Sequence, residues 1–420
     1  MNAVNDSEIR NRLPGRLRVL DLSTMIAAPL TASLLADYGA EVIKIEQPIA
    51  GDHVRRFGAQ KNGEGLYWKT LSRNKASVAL DLHLPRSQAL MRRWIPQFDI
   101  VIENFRPGTL EGWGLAPSHL RRLSPRLVVL SVTAYGQFGP YRDRPGFGTL
   151  AEAMSGLAAI SGFPDRPPLL PAFPLADIVA GHLGAAAVLA AIERRHYTGE
   201  GDYIDLAIYE SALKIIELNI MEYDQTGVEQ QRSGNRIGSS APRGSYECSD
   251  GLWLALSGST QSVAQRVLRT IGGEVLVDDP RFLTNADRVH HVVELDEYVA
   301  DWCKARTRED AIREFSEMGC AVGPLESIAT MLENPQVMAR DSVVKVHDPN
   351  LGEIAMSNVY PRFANAEYRI NTTGPARIGQ HTDEVLAHDL GLSAAELAEL
   401  RSQGVTGTPA PAECAQQRRG

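Results

Sequence analysis

Over the first third of the chain, short runs of apolar residues alternate with stretches of helical periodicity. Residues 17–22 (LRVLDL) read as a strand and 29–38 as a helix stopped by Gly39. Residues 41–46 (EVIKIE), 77–82, 99–103 and 127–132 (LVVLSV) read as further strands, and 85–96 as a helix opened by Pro85 in its first turn. Strands separated by helices call for right-handed crossovers and hence a mostly parallel, doubly wound sheet. Proline-rich punctuation from Pro140 to Pro174 predicts long loops. A helix over 177–195, a strand over 203–208 and a helix over 210–223 follow.

The pattern then changes. Residues 230–244 are polar, rich in Gly, Ser and Arg and without a period, which suits a linker or an active-site loop. A smaller α+β segment begins at 252–256 and runs to about residue 325. Residues 383–402 read as two short helices hinged at Gly391, with a weak tail from Thr406. No internal repeat is apparent.

Composition narrows the class. A chain of 420 residues is too long for one small core and predicts two domains. A net charge of −8 without a long basic block argues against a nucleic-acid binder. Four cysteines, Cys248, Cys303, Cys320 and Cys414, have neither metal-ligand spacing nor a C-x-x-C pair, which suits reduced thiols in a cytosol. No secretory signal is read in residues 1–18. The apolar run 178–192 carries His182 and is shorter than a bilayer needs, so a cytoplasmic protein with no membrane and no metal partner is expected.

Among candidate chemical residues Asp177 stands out as the only acid between Asp165 and Glu193, at the mouth of a helix of small residues. Such a carboxylate is either an N-cap for orphan backbone N–H groups or a group placed for chemistry. His182 lies about 140° around the helix from it, so the two form no dyad. Gly181 and Gly184 let the helix approach a neighbour closely. Gly146-Phe147-Gly148-Thr149-Leu150-Ala151 fits G-x-G-x-x-A but follows a loop rather than a strand, and the first strand–helix turn lacks the fingerprint, so a dinucleotide site is rejected. Asn104 and Arg106 follow a predicted strand at its carboxyl edge, where doubly wound sheets bind ligands; they offer an amide and a guanidinium fork. Arg73 and Lys75 form a second cationic cluster suited to phosphate. Each of these is otherwise only a turn.

Taken in order, the segments RVLDLS (18–23), AEVIKIE (40–46), Arg73-Asn74-Lys75 leading to Leu80-Asp81-Leu82, Glu103-Asn104-Phe105, YGQFGP (135–140), AMSGL (153–157) and IGQHT (378–382) resemble the class III CoA-transferases, the family of formyl-CoA and carnitine CoA-transferases. The resemblance covers nearly the whole chain. It implies a Rossmann-like doubly wound large domain with a smaller α+β domain, in an interlocked homodimer. Residues 1–225 and 331–420 would form the large domain, and 226–330 the small one with its linkers. It implies that Asp177 is the covalent nucleophile, with the helix N-terminus favouring its ionised form. Asn104 and Leu80 match positions that contact CoA, Arg106 matches a cationic contact, and Tyr135 matches a residue lining the reaction site. Ile26 stands where formyl-CoA transferase has a glutamine beside the nucleophile, and the region of Gly112 lacks an arginine used there for CoA. The glycine-rich flap becomes residues 234–240.

The implied reaction moves CoA from an acyl-CoA donor to a free carboxylic acid through an aspartyl mixed anhydride and an aspartyl-CoA thioester. No cofactor is permanently bound; the CoA thioester is substrate. Oxyanion donors are expected from backbone N–H groups of residues 236–241 and of the helix start. Arg232, Arg236 and Arg243 point to a dicarboxylate acceptor. Two alternatives stand beside this reading. An acyl-CoA racemase would need a histidine in the region that here reads Gly146-Phe147-Gly148. A catalytically silent CoA-binding protein would have no use for Asp177.

Overall fold

The structure, a computed structural model, describes residues 17–407. The N-terminal stretch read as lacking a signal, Cys414 and the tail beyond 407 lie outside the described residues. The described chain divides into two compact units, one made of residues 17–155, 171–215 and 341–407, the other of 156–170 and 216–340. The sequence reading set the changes of domain at 225 and 330 and did not separate 156–170.

In the first unit, strands β1 (Arg18–Asp21), β2 (Glu41–Glu46), β3 (Lys75–Ala79), β4 (Ile100–Glu103), β5 (Val128–Thr133) and β6 (Tyr203–Ala207) form one sheet in the order β3-β2-β1-β4-β5-β6. All five pairings are parallel, with Val19 opposite both Val42 and Ile100. Alternate side chains enter different cores: Leu20, Ile43, Val78, Val101 and Val129 pack on one face, and Val19, Val42, Ile100, Ile102 and Leu130 on the other. Burial on both faces is why these strands are nearly continuous apolar runs in sequence. The order reverses between β1 and β4, so the crevice beyond the carboxyl ends of these strands is a topological switch point.

Helix α1 (Ala27–Asp37) follows β1, α2 (Pro85–Trp94) follows β3, and α3 (Gly148–Met154) and α4 (Leu175–Thr198) lie between β5 and β6. Helix α4 is long and apolar enough to span a bilayer by length and composition, because it continues past the apolar run 178–192 at both ends. Its small residues serve close packing on α1. A β-carbon on Gly181 would meet Leu30 at 2.8 Å, one on Gly184 would meet Thr31 Oγ1 at 2.5 Å, and Thr31 donates to the Gly181 carbonyl at 2.9 Å.

Two sequence expectations change here. Residues 140–174 contain α3 and a turn of helix at Leu157–Ile160 rather than loops alone. The stretch 210–223 is two helices, α5 (Ile208–Ile215) and α6 (Glu217–Thr226), because Ile216 leaves the helical conformation. The second unit is built on an antiparallel sheet of β7 (Arg243–Glu247), β8 (Trp253–Ser257) and β9 (Ala321–Pro324) in the order β9-β8-β7. Its core gathers Leu254, Val267, Val299, Trp302 and Phe315, with the free thiols of Cys248, Cys303 and Cys320 buried there. The two C-terminal helices, Thr382–Leu390 and Ala394–Ser402, return to the first unit and seat Leu386 and Leu397 on its sheet.

Candidate active site

The turn leaving β1 is held in a strained shape. Met25 has φ +67°, a conformation rare for a residue with a side chain. The Asn104 side chain brackets the residue before it: Thr24 N–H donates to Asn104 Oδ1 at 2.8 Å and Asn104 Nδ2 donates to the Thr24 carbonyl at 2.7 Å. Asp52 accepts from Met25 N–H at 3.2 Å and pairs with Lys44 at 3.1 Å. Lys44 in turn donates to the Ser23 carbonyl, and Lys75 pairs with Asp21 at 2.9 Å. This surrounding network over-determines the turn, as persistent strain requires.

Beyond the turn lies a cavity of about 200 Å³ whose walls come from the carboxyl ends of β1, β4 and β5 and from the start of α4. It brings together Asp177, Ile26, Asn104, Arg106 and Tyr135, five of the residues singled out from the sequence. A neighbouring cavity of about 340 Å³ shares Thr24 and Phe105 with it and is lined by Leu80, His83 and Trp113. Arg73 and Lys75 line neither. Arg73 forks onto Asp37, with its closest approach 2.5 Å, and Lys75 is fully buried between Asp21 and the Pro29 carbonyl, 2.8 Å away. Both cations already have protein partners, so their sequence assignment to phosphate is replaced by a structural role.

Asp177 itself is not an N-cap. Pro174 occupies that position, and Asp177 sits in the first turn with its carboxylate unbonded by any donor among the described residues. The acceptor for the first turn is Glu152 of α3, which takes the Ala176 N–H at 3.1 Å and is almost completely buried. The helix terminus does not win over the surroundings either. Burial, and then the nearby charge of Glu152, raise the Asp177 carboxyl to about 6. It is still ionised at neutral pH, but more basic than an ordinary carboxylate. Its space is made by Gly148, where an added β-carbon would lie 2.0 Å from Asp177 Oδ2. On the β4 side Glu103 is raised to about 7 by burial, although Phe105 N–H donates to it at 2.8 Å.

Positive charge is also present. Arg106, Arg142 and Arg144 line the cavity with Asp177. Arg144 stacks over the Tyr141 ring at 3.7 Å, and Tyr141 meets Tyr135 edge-on at 5.8 Å. The arginines expected at the flap are engaged within the second unit instead. Arg236 pairs with Asp296 at 2.5 Å, Arg232 donates to the Phe163 and Ala159 carbonyls, and Arg243 to that of Asn235. The backbone N–H groups of Arg236, Ser240 and Ala241 bond to Ser233, Ile237 and Asn285, which removes them from the expected oxyanion donors.

Gly148, Glu152, Arg142 and Arg144 escaped the sequence reading. Of these only Gly148 carried a signal, in the segment 146–151, which fails as a dinucleotide motif. Its glycines serve close approach: a β-carbon on Gly146 would meet Ala134 at 2.5 Å and Tyr135 at 2.9 Å.

A parallel α/β sheet gathers a buried carboxylate and three guanidiniums in one cavity at its switch point. The chain belongs to CoA-transferase family III, whose model matches residues 15–382. It is 41% identical over 390 residues to the succinyl-CoA–D-citramalate CoA-transferase of Chloroflexus aurantiacus, covering 93% of this chain and 97% of that protein. It is 32% identical to the succinate–glutarate CoA-transferase of Agrobacterium fabrum, covering 91% and 97%. A CAIB/BAIF family protein from Brucella suis superposes with a TM-score of 0.79 at 28% identity, over 90% of this chain and all of that one.

Proposed function

We propose that the enzyme transfers CoA from succinyl-CoA to a C4–C6 dicarboxylate, with Asp177 as the covalent nucleophile. The observation that carries this is the Asp177 carboxylate: it takes no hydrogen bond from any donor among the described residues, it is given space by Gly148, and it shares its cavity with three guanidiniums. A structural acid would be bonded; this one is left for a substrate.

The steps balance without any further reactant. A carboxylate oxygen of Asp177 attacks the thioester carbonyl of the donor, forming a mixed anhydride and expelling CoA thiolate. The thiolate attacks the aspartyl carbonyl, which gives an aspartyl-CoA thioester and frees the donor acid. The acceptor carboxylate attacks that thioester to form the second anhydride, and the returning thiolate takes the acceptor acyl group and regenerates Asp177. The anhydride and the thioester are both activated acyl states, so neither is a thermodynamic trap. Arg106, Arg142 and Arg144 offer forks to the anionic groups of CoA and to the second carboxylate of the acid. The names of the relatives support succinyl-CoA as donor and make hydroxylated acids, citramalate and malate, the first acceptors to test.

The same reading carries an interlocked homodimer in the cytoplasm, with CoA thioesters as substrates rather than a resident cofactor. Sedimentation of the purified protein tests the dimer. The function is tested by incubating the enzyme with succinyl-CoA and a panel of mono- and dicarboxylates, and by trapping the aspartyl thioester with hydroxylamine. Transfer confined to dicarboxylates, with a hydroxamate at Asp177, is the expected result. A preference for monocarboxylates overturns the acceptor class, and full transfer by Asp177→Ala overturns the nucleophile.

A further inference from the structure

Helix α3 touches the first turn of α4 at two points four residues apart, which places both on one helix face. Gly148 leaves the space that the Asp177 carboxylate fills, and Glu152 accepts the Ala176 N–H at 3.1 Å. Glu152 is only 2% exposed. Accepting one backbone N–H does not call for a charge, since a glutamine amide oxygen would do the same. An acid in so dry a place, bonded to the residue before the nucleophile, is an expensive choice for a bond that an amide could make.

We propose that Glu152 is a positioning residue for the transfer reaction, fixing the first turn of α4 through Ala176 and presenting its charge to Asp177. The inference rests on the reading of Asp177 as nucleophile. Other groups face Asp177 from each neighbouring element: Tyr67, Arg106 after β4, and Tyr135, Arg142 and Arg144 after β5. Among the described residues, the charge of Glu152 adds to burial in raising the Asp177 carboxyl. The chemical benefit follows from acyl exchange between carboxylates. A more basic carboxylate is the better nucleophile, and exchange runs with little free-energy difference when the two acids have similar basicity. Glu152 thus acts through Asp177 and touches no reacting atom itself.

The test uses the full-length enzyme and three variants, with two readouts: the acid limb of kcat/KM, and the single-turnover rate of aspartyl-CoA formation without acceptor. Glu152→Gln keeps an acceptor for Ala176 and removes the charge. Its acid limb moves to lower pH by roughly half a unit or more, and its single-turnover rate at alkaline pH falls about 3-fold. Glu152→Asp keeps the charge with a shorter reach, so its limb stays near that of the wild type while kcat falls about 10-fold. Glu152→Ala loses both, combining the shifted limb with a kcat loss on the order of 10–100-fold. The position of the limb does not depend on the folded fraction, so a lowered melting temperature does not obscure it. A Glu152→Gln enzyme with the wild-type limb overturns the proposal, as does a Glu152→Asp enzyme whose limb moves with that of Glu152→Gln. If Asp177→Asn still forms an enzyme-bound CoA thioester, the nucleophile reading fails instead.

Discussion

The head of helix α3 and the Asp177 carboxylate occupy adjoining space with no room for a side chain between them: a β-carbon on Gly148 would stand 2.0 Å from Asp177 Oδ2 and 2.8 Å from its Cγ. Gly148→Ala must therefore push the carboxylate aside. Gly148 is helical and carries no positive φ, so the backbone tolerates alanine and the helix gains propensity. The expected outcome is a kcat loss of roughly 100-fold with little change in melting temperature, since a displacement of about 1 Å at a reacting group has that effect on rate. Parallel measurement of steady-state kinetics and thermal melting checks it; wild-type kcat would show that the carboxylate has another place to go.

Activity and stability should respond to pH in opposite directions through Asp177. The nucleophile must be ionised, so kcat/KM falls as pH drops below about 6. Folding raises this carboxyl above its ordinary value, so the folded state holds the proton more tightly than the unfolded chain. Stability from this group is present at low pH and is lost as pH rises from about 4 to about 6. Asp177→Asn is expected to melt above the wild type at pH 8, with the gap closing as pH is lowered through that window. A gap that stays constant with pH would mean the carboxyl is not raised by its surroundings.

Two cations that looked alike in sequence should behave differently when removed. Lys75 is fully buried against Asp21, so Lys75→Ala removes one of the two cations beside that acid, leaving Lys44 at 3.7 Å and the Ser23 hydrogen bonds, and is expected to cost about 1.5–3 kcal/mol of stability. Arg106 is exposed on the cavity wall, so Arg106→Ala should leave the melting temperature within a few degrees and raise the KM for the CoA donor by roughly 10-fold or more. Denaturant unfolding and donor titrations separate the two. A donor KM that rises in Lys75→Ala with no loss of stability would return Lys75 to the binding site.

Much of the scaffold was legible in the chain itself. Runs such as LVVLSV suit strands buried on both faces, as in a parallel sheet, and the small residues of α4 permit close contact with α1. Asp177, Asn104, Arg106, Tyr135 and Ile26 were marked from sequence and all five line one cavity, because the ends of adjacent parallel strands must share an edge. Asn104 nevertheless spends its amide on Thr24, a use its own neighbours in sequence do not reveal.

What the sequence by itself determined is the run of strands that make the parallel sheet and the edge of that sheet where chemistry can occur. Apolar periodicity and turn residues act over a few neighbours, and that is enough to specify both. The tertiary structure decided which charges work at that edge and in what state. Lys75 became an internal ion pair and Arg142 and Arg144 wall residues, while Glu152 took the backbone N–H beside Asp177 and burial, with the charge of Glu152 second, made Asp177 more basic. A charged group takes its role from desolvation and from partners brought close in space, and those partners sit on other elements, far away along the chain.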